Sequence, residues 1–310
     1  MTKNAVKKLI IGGAIILAAT APLLGKKNPQ KEVKLERVVM LSQSDSLIET
    51  PFRLSNFEER IVGRLDELSA RLAKDGFDRD EIIKLYTHKN FKIERDIIRY
   101  YSFGKKYPPM SYDQYRRKLG LDELIRRAPE FYQAHKTEIE KAARKYGFDS
   151  RQIVSTIAIE TVFGTYLGDY KSFNAIVAMF ASDRYKELGY RQIKAYIPYC
   201  KKEGVDLFSY PSSIAGAIGP MQVMPENLRI YWSEKNPMDL IECFHIIAKF
   251  HKDAGWDPRQ NGKIPSPGSR NWQAIHNYNN SNNYVRARNE LAASLKISPI
   301  AVRVVPGLDQ

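Results

Sequence analysis

Along this chain, apolar residues recur at three- and four-residue spacing in runs that stop at glycines. That period builds helices and leaves little room for the alternation of half-buried strands. In SNFEERIVGRLDELSARLAKDG, Ser55 and Glu58 have capping-box spacing, Ile61, Leu65, Leu68 and Leu72 form one stripe, and Gly76 ends the run. Asp78 and Glu81 repeat the start before IIKLY. APEFYQAHKTEIEKAARKYG carries Pro129 near a start and Gly147 at its end, while FDSRQIVSTIAIETVFG opens on Asp149 and Gln152 and closes near Gly164. PMDLIECFHIIAKFHKDAG sets Leu240, Phe244 and Ile247 on one face before Gly255. The predicted fold class is mainly α, with irregular loops and at most a small β-sheet.

The N-terminus follows a different logic. MTKNAVKK is positively charged, and Leu9 to Leu24 form a continuous apolar segment of sixteen residues, just below the roughly 17–25 of a spanning helix. Ala19 and Ala21 have the spacing of a cleavage site, but Pro22 would hinder the cut, so residues 1–25 read as either a signal peptide or a retained membrane anchor. Either way the rest of the chain is expected in the periplasm or cell envelope. No cysteine follows the apolar run, which argues against a lipoprotein. Residues 26–52 read as a linker, 53–130 as an N-terminal helical region, 131–300 as a catalytic domain and 301–310 as a tail. The segment RQNGKIPSPGSR, Arg259 to Arg270, is the strongest loop signal and is expected to rim the site.

A formal charge of +14, from 49 Lys and Arg against 35 Asp and Glu, favours an anionic partner. Export excludes nucleic acid and leaves anionic lipid or an acidic wall polymer. Cys200 and Cys243 could pair in an oxidising compartment or serve as small buried apolar residues. The five histidines show no HExxH or clustered spacing, so no metal is expected.

Within IAIETVFGTYLG, Glu160 shares a helix face with Ile153 and Ile157, the face a globular protein buries. It also lies in the last turn, where the backbone dipole disfavours a second negative charge. Burial and dipole both raise its pKa, giving a carboxylic acid that can hold a proton near neutrality. A buried glutamate paired with an arginine fits the same position.

Two more segments carry polar chemistry. SSIAGAIGPMQVMPENL combines Ala215, Gly216, Ala217 and Gly219, which allow close approach to backbone, with the amide of Gln222. A tight packing loop would have the same composition. In NWQAIHNYNNSNNYVRARNELAASL, Tyr278 and Tyr284 offer flat faces that stack on pyranose rings, and Asn279, Asn280 and Ser281 can bond a sugar edge. Ser281, Asn282 or Asn283 would equally start the following helix.

Taken in order, ETVFGTYLG, SSIAGAIGPMQVMP, HKDAGW and YNNSNNYVRA resemble the membrane-bound lytic transglycosylase B family of murein-degrading enzymes, over about Gly76 to Leu295. The resemblance implies a lysozyme-like α fold, peptidoglycan glycan strands as substrate and Glu160 as catalytic acid and base. It places Ser213, Gln222, Tyr278, Asn279, Ser281 and Tyr284 in the substrate cleft. It also implies a reaction needing no cofactor and no second carboxylate, because the muramic acid's own C6 hydroxyl attacks C1. Membrane attachment through the N-terminus and envelope protein complexes are further partners it allows. One departure is IYWSEKNPMDL, where some family members have a calcium loop; with only Glu234 and Asp239, the oxygen ligands of such a site are missing. FASDRYKE is also unlike the family pattern. Two alternatives stay open: a hydrolytic muramidase using Asp169 or Asp183 to position water, and a wall-binding protein that has lost turnover.

Overall fold

The computed structural model describes residues 56–103, 110–232 and 236–297. The expected leader, linker, Ser55 cap, C-terminal tail and Glu234 lie outside them. In chain order the helices are α1 (Asn56–Lys74), α2 (Arg79–Tyr86), α3 (Arg95–Phe103), α4 (Tyr112–Leu119), α5 (Leu121–Ala134), α6 (Lys136–Tyr146), α7 (Ser150–Thr161), α8 (Ser172–Ala181), α9 (Lys186–Glu203), α10 (Pro225–Tyr231), α11 (Leu240–Asp253), α12 (Arg270–Tyr278) and α13 (Asn282–Ser294). Among the described residues, strand structure is limited to β1 (Tyr170–Lys171) and β2 (Pro211–Ser212). The fold is mainly α, as the helical period requires.

The described residues form two compact units. One contains α4 to α7 and everything from β2 onward; the other contains α1 to α3 together with residues 170–210. This division runs through the 131–300 span read from sequence as one region. Its physical reason lies in α8, SFNAIVAMFA, which is buried at every position and therefore needs neighbours on all sides. It finds them in α9, α3 and α1. Gly189 of α9 permits the closest approach, since a Cβ there would lie 2.4 Å from the Phe180 backbone nitrogen.

The other unit is organised around α7 in the same way. Its sequence SRQIVSTIAIET is buried at every position but Glu160, and it packs against α5, α6, α11 and α13. The α1 stripe of Ile61, Leu65, Leu68 and Leu72 is buried as its spacing requires, and Asp78 caps α2 by accepting from the backbones of Asp80 and Glu81. Two local readings are corrected. Pro129 lies inside α5 rather than at a helix start, and the break comes at His135, between α5 and α6. Asp149 caps α7, but Gln152 does not close the box: its side chain reaches Asn289 of α13 instead.

Candidate active site

The C-terminus of α7 is an unusual helix ending. Val162, Phe163 and Gly164 follow one another in the left-handed region, at φ 52°, 64° and 79°. The first two carry side chains, and Val162 is β-branched, so the turn is strained and needs support. Thr161 supplies part of it. Its hydroxyl donates to the Pro220 carbonyl at 2.7 Å and accepts from the Gly164 N–H at 3.0 Å, tying α7 to the glycine-rich loop. On the other side, Phe163 packs on Phe131, with the Arg127 guanidinium 5.2 Å from its ring centre.

Glu160 is held two residues before this turn and stays partly exposed while its helical neighbours are buried. The Tyr284 hydroxyl donates to its Oε1 at 2.6 Å. Burial pushes the carboxyl up to about 7; the Tyr284 hydrogen bond and the Arg288 charge act in the opposite direction and limit the rise. The result is a side chain that exchanges a proton near neutrality while its position is fixed.

Behind Tyr284 stands a column of rings. Tyr284 stacks on Tyr278 at 6.3 Å between centres, Tyr278 on His251 at 5.4 Å, and His251 on Phe148 at 4.6 Å. The Tyr278 hydroxyl donates to the Met221 carbonyl. These placements correct the stacking expectation: Tyr278 is 3 % exposed and Tyr284 0 %, so neither presents an open face to a sugar. What Tyr284 presents is its hydroxyl, and it presents it to Glu160.

The glycine-rich loop is a tight structure in its own right. Ile218 bridges to both Ser212 and Val223, and Gly219, at φ 73°, lies so close to the Pro237 carbonyl oxygen that a Cβ would sit 2.0 Å from it. Ser213 is buried, its hydroxyl accepting from the Ala217 N–H at 3.3 Å. Gln222 occupies the left-handed region at φ 51°; its Nε2 donates to the Gly219 carbonyl, and its buried Oε1 has no protein partner. Asn279 likewise buries an Oδ1 without one. Ser281 is the N-cap of α13, accepting from the Tyr284 N–H at 3.3 Å. Both the packing-loop and the helix-cap readings of these segments therefore describe real features.

Of the remaining candidates, Asp169 accepts from the Tyr166 hydroxyl at 2.8 Å, and Asp183 is ion-paired with Arg60 and Arg64. Cys200 and Cys243 are both free and buried. Among the described residues no group of His, Cys, Asp and Glu is arranged to hold a metal. The 259–270 loop does not rim Glu160 where it is anchored. Gly262 donates to Asp149, Asn261 to the Gly147 carbonyl, and the Pro265 carbonyl accepts from Asn289. These contacts gather at the N-terminal end of α7, roughly 16 Å along the helix from Glu160 at 1.5 Å per residue.

Three groups escaped the sequence reading. Arg288 is fully buried beside the tyrosines, one helical turn beyond Tyr284, and an i, i+4 search on α13 would have found it. Its partner His251 and the buried Tyr115, whose hydroxyl senses the Glu160 charge, come from distant helices and leave no local signal.

Known proteins share this sequence pattern and fold. At 23 % identity over 150 residues, 46 % of this chain aligns with the membrane-bound lytic murein transglycosylase B of Escherichia coli K12; the alignment spans 42 % of that protein's length. The soluble lytic transglycosylase SltB1 of Pseudomonas aeruginosa superposes with a TM-score of 0.62 at 19 % identity, covering 74 % of this chain and 97 % of that one. SltB3 of the same organism, crystallised with NAG-anhNAM-pentapeptide, superposes with a TM-score of 0.61 at 16 % identity, covering 76 % of this chain and 79 % of that one. The structural likenesses establish the lysozyme-like helical fold. The transglycosylase SLT domain model matches residues 62–265, more than half of the sequence and the stretch that contains Glu160 and the glycine-rich loop, and the chain belongs to that family.

Proposed function

We propose that this chain is a peptidoglycan lytic transglycosylase that breaks the β-1,4 bond between N-acetylmuramic acid and N-acetylglucosamine without water and leaves a 1,6-anhydro end. The observation that carries the reading is Glu160, a carboxyl group poised at about pH 7 whose hydrogen-bond partner is a phenol and not a second carboxylate. Tyr284 donates to Oε1, so the proton of the neutral acid belongs on Oε2. That proton passes to the glycosidic oxygen as the C1–O4 bond breaks. Positive charge at C1 is shared with the substrate's N-acetyl group. The Glu160 carboxylate then takes the proton of the C6 hydroxyl as O6 bonds to C1, which returns the enzyme to its starting state with no water consumed. A hydrolase of this kind would need a second carboxylate to activate water or act as nucleophile.

The remaining site residues take supporting roles. The unpartnered oxygens of Gln222 and Asn279 are acceptors for sugar hydroxyl or acetamido donors. Ser213 and Ser281 hold the backbone of their segments, and Tyr278 backs Tyr284. Reaching peptidoglycan requires export, by a leader that is cleaved or retained; the likeness to a membrane-bound E. coli relative supports an envelope location.

The test is to digest purified peptidoglycan with the full-length chain, beside Glu160→Gln, and weigh the released muropeptides. Anhydro products that disappear with the variant are expected. Products one water heavier would make the chain a hydrolytic muramidase and direct attention to Asp169 and Asp183. Binding without release by either protein would leave a wall-binding role.

A further inference from the structure

Arg288 is a buried charge near the site, and its cost demands an explanation. It is 0 % exposed, and a buried guanidinium is retained only where something compensates it. Neither of its hydrogen bonds goes to a carboxylate. Nη1 lies 3.0 Å from His251 Nε2, and Nη2 donates to the Gln152 carbonyl at 3.1 Å. Its carbon centre lies 5.7 Å from the Tyr278 ring centre and 5.8 Å from that of Tyr284. The cation is thus packed between the ring column and the backbone of α7, the helix that bears Glu160.

We propose that Arg288 is a positioning residue for the reaction, a fixed buried cation that stabilises the carboxylate form of Glu160 at a distance and is itself held in place by neutral His251. This rests on the reading of Glu160 as acid and then base, and it concerns the second half of that cycle, when the carboxylate stands charged in a poorly hydrated site.

The chemistry of His251 fits the task. Its Nδ1 lies 2.7 Å from the Ile247 carbonyl and donates to it, which leaves Nε2 as the acceptor for Arg288. Burial first, and then the Arg288 charge, hold its pKa well below the usual range, so it stays neutral and does not compete with the guanidinium. An arginine keeps its charge over the working pH range, so the device supplies the same field before and after proton transfer.

The groups facing Glu160 from the elements around α7 are few in kind. Helix α13 provides Tyr284 and Arg288, α12 provides Tyr278 and α4 provides Tyr115. Helix α11 contributes His251 through Arg288, α5 sets Arg127 against Phe163, and α6 buries Ile139, Ala142 and Ala143. Of the two cations, Arg288 is the one that acts on the Glu160 charge.

The test uses the full-length chain as Arg288→Met, Arg288→Lys and His251→Phe, the last preserving the ring column while removing the acceptor. The measurement is the pH profile of anhydro-product release. Loss of the protonated acid sets the basic limb, so Arg288→Met should move that limb upward by on the order of one pH unit and lower the maximal rate. His251→Phe should move it in the same direction by less, and Arg288→Lys should return it toward wild type. A purely structural role would lower the rate in all three without moving the limb, and that result overturns the proposal. A second readout needs no turnover: the pH at which the melting-temperature difference between Glu160 and Glu160→Gln proteins stops growing, which marks the native titration of the carboxyl, compared in Arg288 and Arg288→Met backgrounds. An inactive wild-type protein would refute the proposed function, while this titration would still show whether Arg288 acts on Glu160. An unchanged titration would refute the Arg288 role alone.

Discussion

Helices α7 and α8 hold the same position in their respective units, each surrounded by neighbours and buried along almost every turn, yet they are built on opposite principles. In α8 the polar residues Ser172 and Asn174 are confined to the first turn, and the rest is apolar. Helix α7 buries Arg151, Gln152, Ser155, Thr156 and Thr161 among its apolar residues and carries Glu160 in its last turn. Apolar burial asks only for volume to be filled. A buried polar group asks for a specific partner at a specific distance, and each of those demands orders another element around the site. Gln152 recruits α13, Asp149 recruits the 259–270 loop, Thr161 recruits the glycine-rich loop and Glu160 recruits Tyr284.

The sharpest way to break this comparison is to replace the carboxyl of α7 with a neutral group of the same shape. Glu160→Gln should lower anhydro-product release by about 10²–10⁴-fold, the usual contribution of a positioned acid, measured on purified peptidoglycan. In α8, Ile176 is 0 % exposed and makes no polar demand. Ile176→Ala should therefore act on stability, by about 2–5 kcal/mol in denaturant unfolding.

The two kinds of burial also explain what the sequence disclosed. A stripe such as Ile61, Leu65, Leu68 and Leu72 is legible because burial follows directly from helical period. Glu160 is legible because its position on a buried face at a helix end already implies a raised pKa. The tyrosines were found but misassigned: a tyrosine's ring and hydroxyl are equally fit to face a sugar or a carboxyl, and only the packing of α12 against α13 decides between them. His251 and Arg288 are 37 residues apart, and a hydrogen bond between two helices that far apart has no local signature. Pro129 shows the opposite failure. A strong local rule put it at a helix start, while the apolar face of Leu121, Leu124, Ala128 and Tyr132 carried α5 through it.

Glu160 also makes α7 the helix whose contribution depends on pH. Its carboxyl is raised from 4.5 to about 7 in the native state. Between those values the folded protein holds a proton that the unfolded chain has released, so stability falls as pH rises through that window. Below it both states are protonated and nothing is lost; above it both are ionised and the penalty is constant. Glu160→Gln removes the difference. The variant should match wild type near pH 4 and exceed it near pH 8 by as much as about 3 kcal/mol, read from denaturant midpoints at the two pH values. Equal stability at both would mean that the carboxyl titrates in its ordinary range and that burial on α7 does not tune it.

The smallest effect is expected where arginine chemistry is repeated at the surface. Arg71 of α1 and Glu187 of α9 form two hydrogen bonds, at 2.7 and 2.8 Å, in the unit that contains α8. By geometry this pair is better made than any contact of Arg288. Its side chains, however, are 28 % and 68 % exposed, so water and salt screen it. Glu187→Gln should cost about 0.5 kcal/mol or less, and the cost should shrink further in 0.5 M salt. Arg71→Ala should cost more, and the excess should survive salt, because the guanidinium also lies 3.8 Å over the Tyr190 ring. A large, salt-insensitive loss from Glu187→Gln would show that exposed ion pairs hold this unit together. The contrast between α7 and α8 would then lie in how their surroundings are screened, not in what the two helices bury.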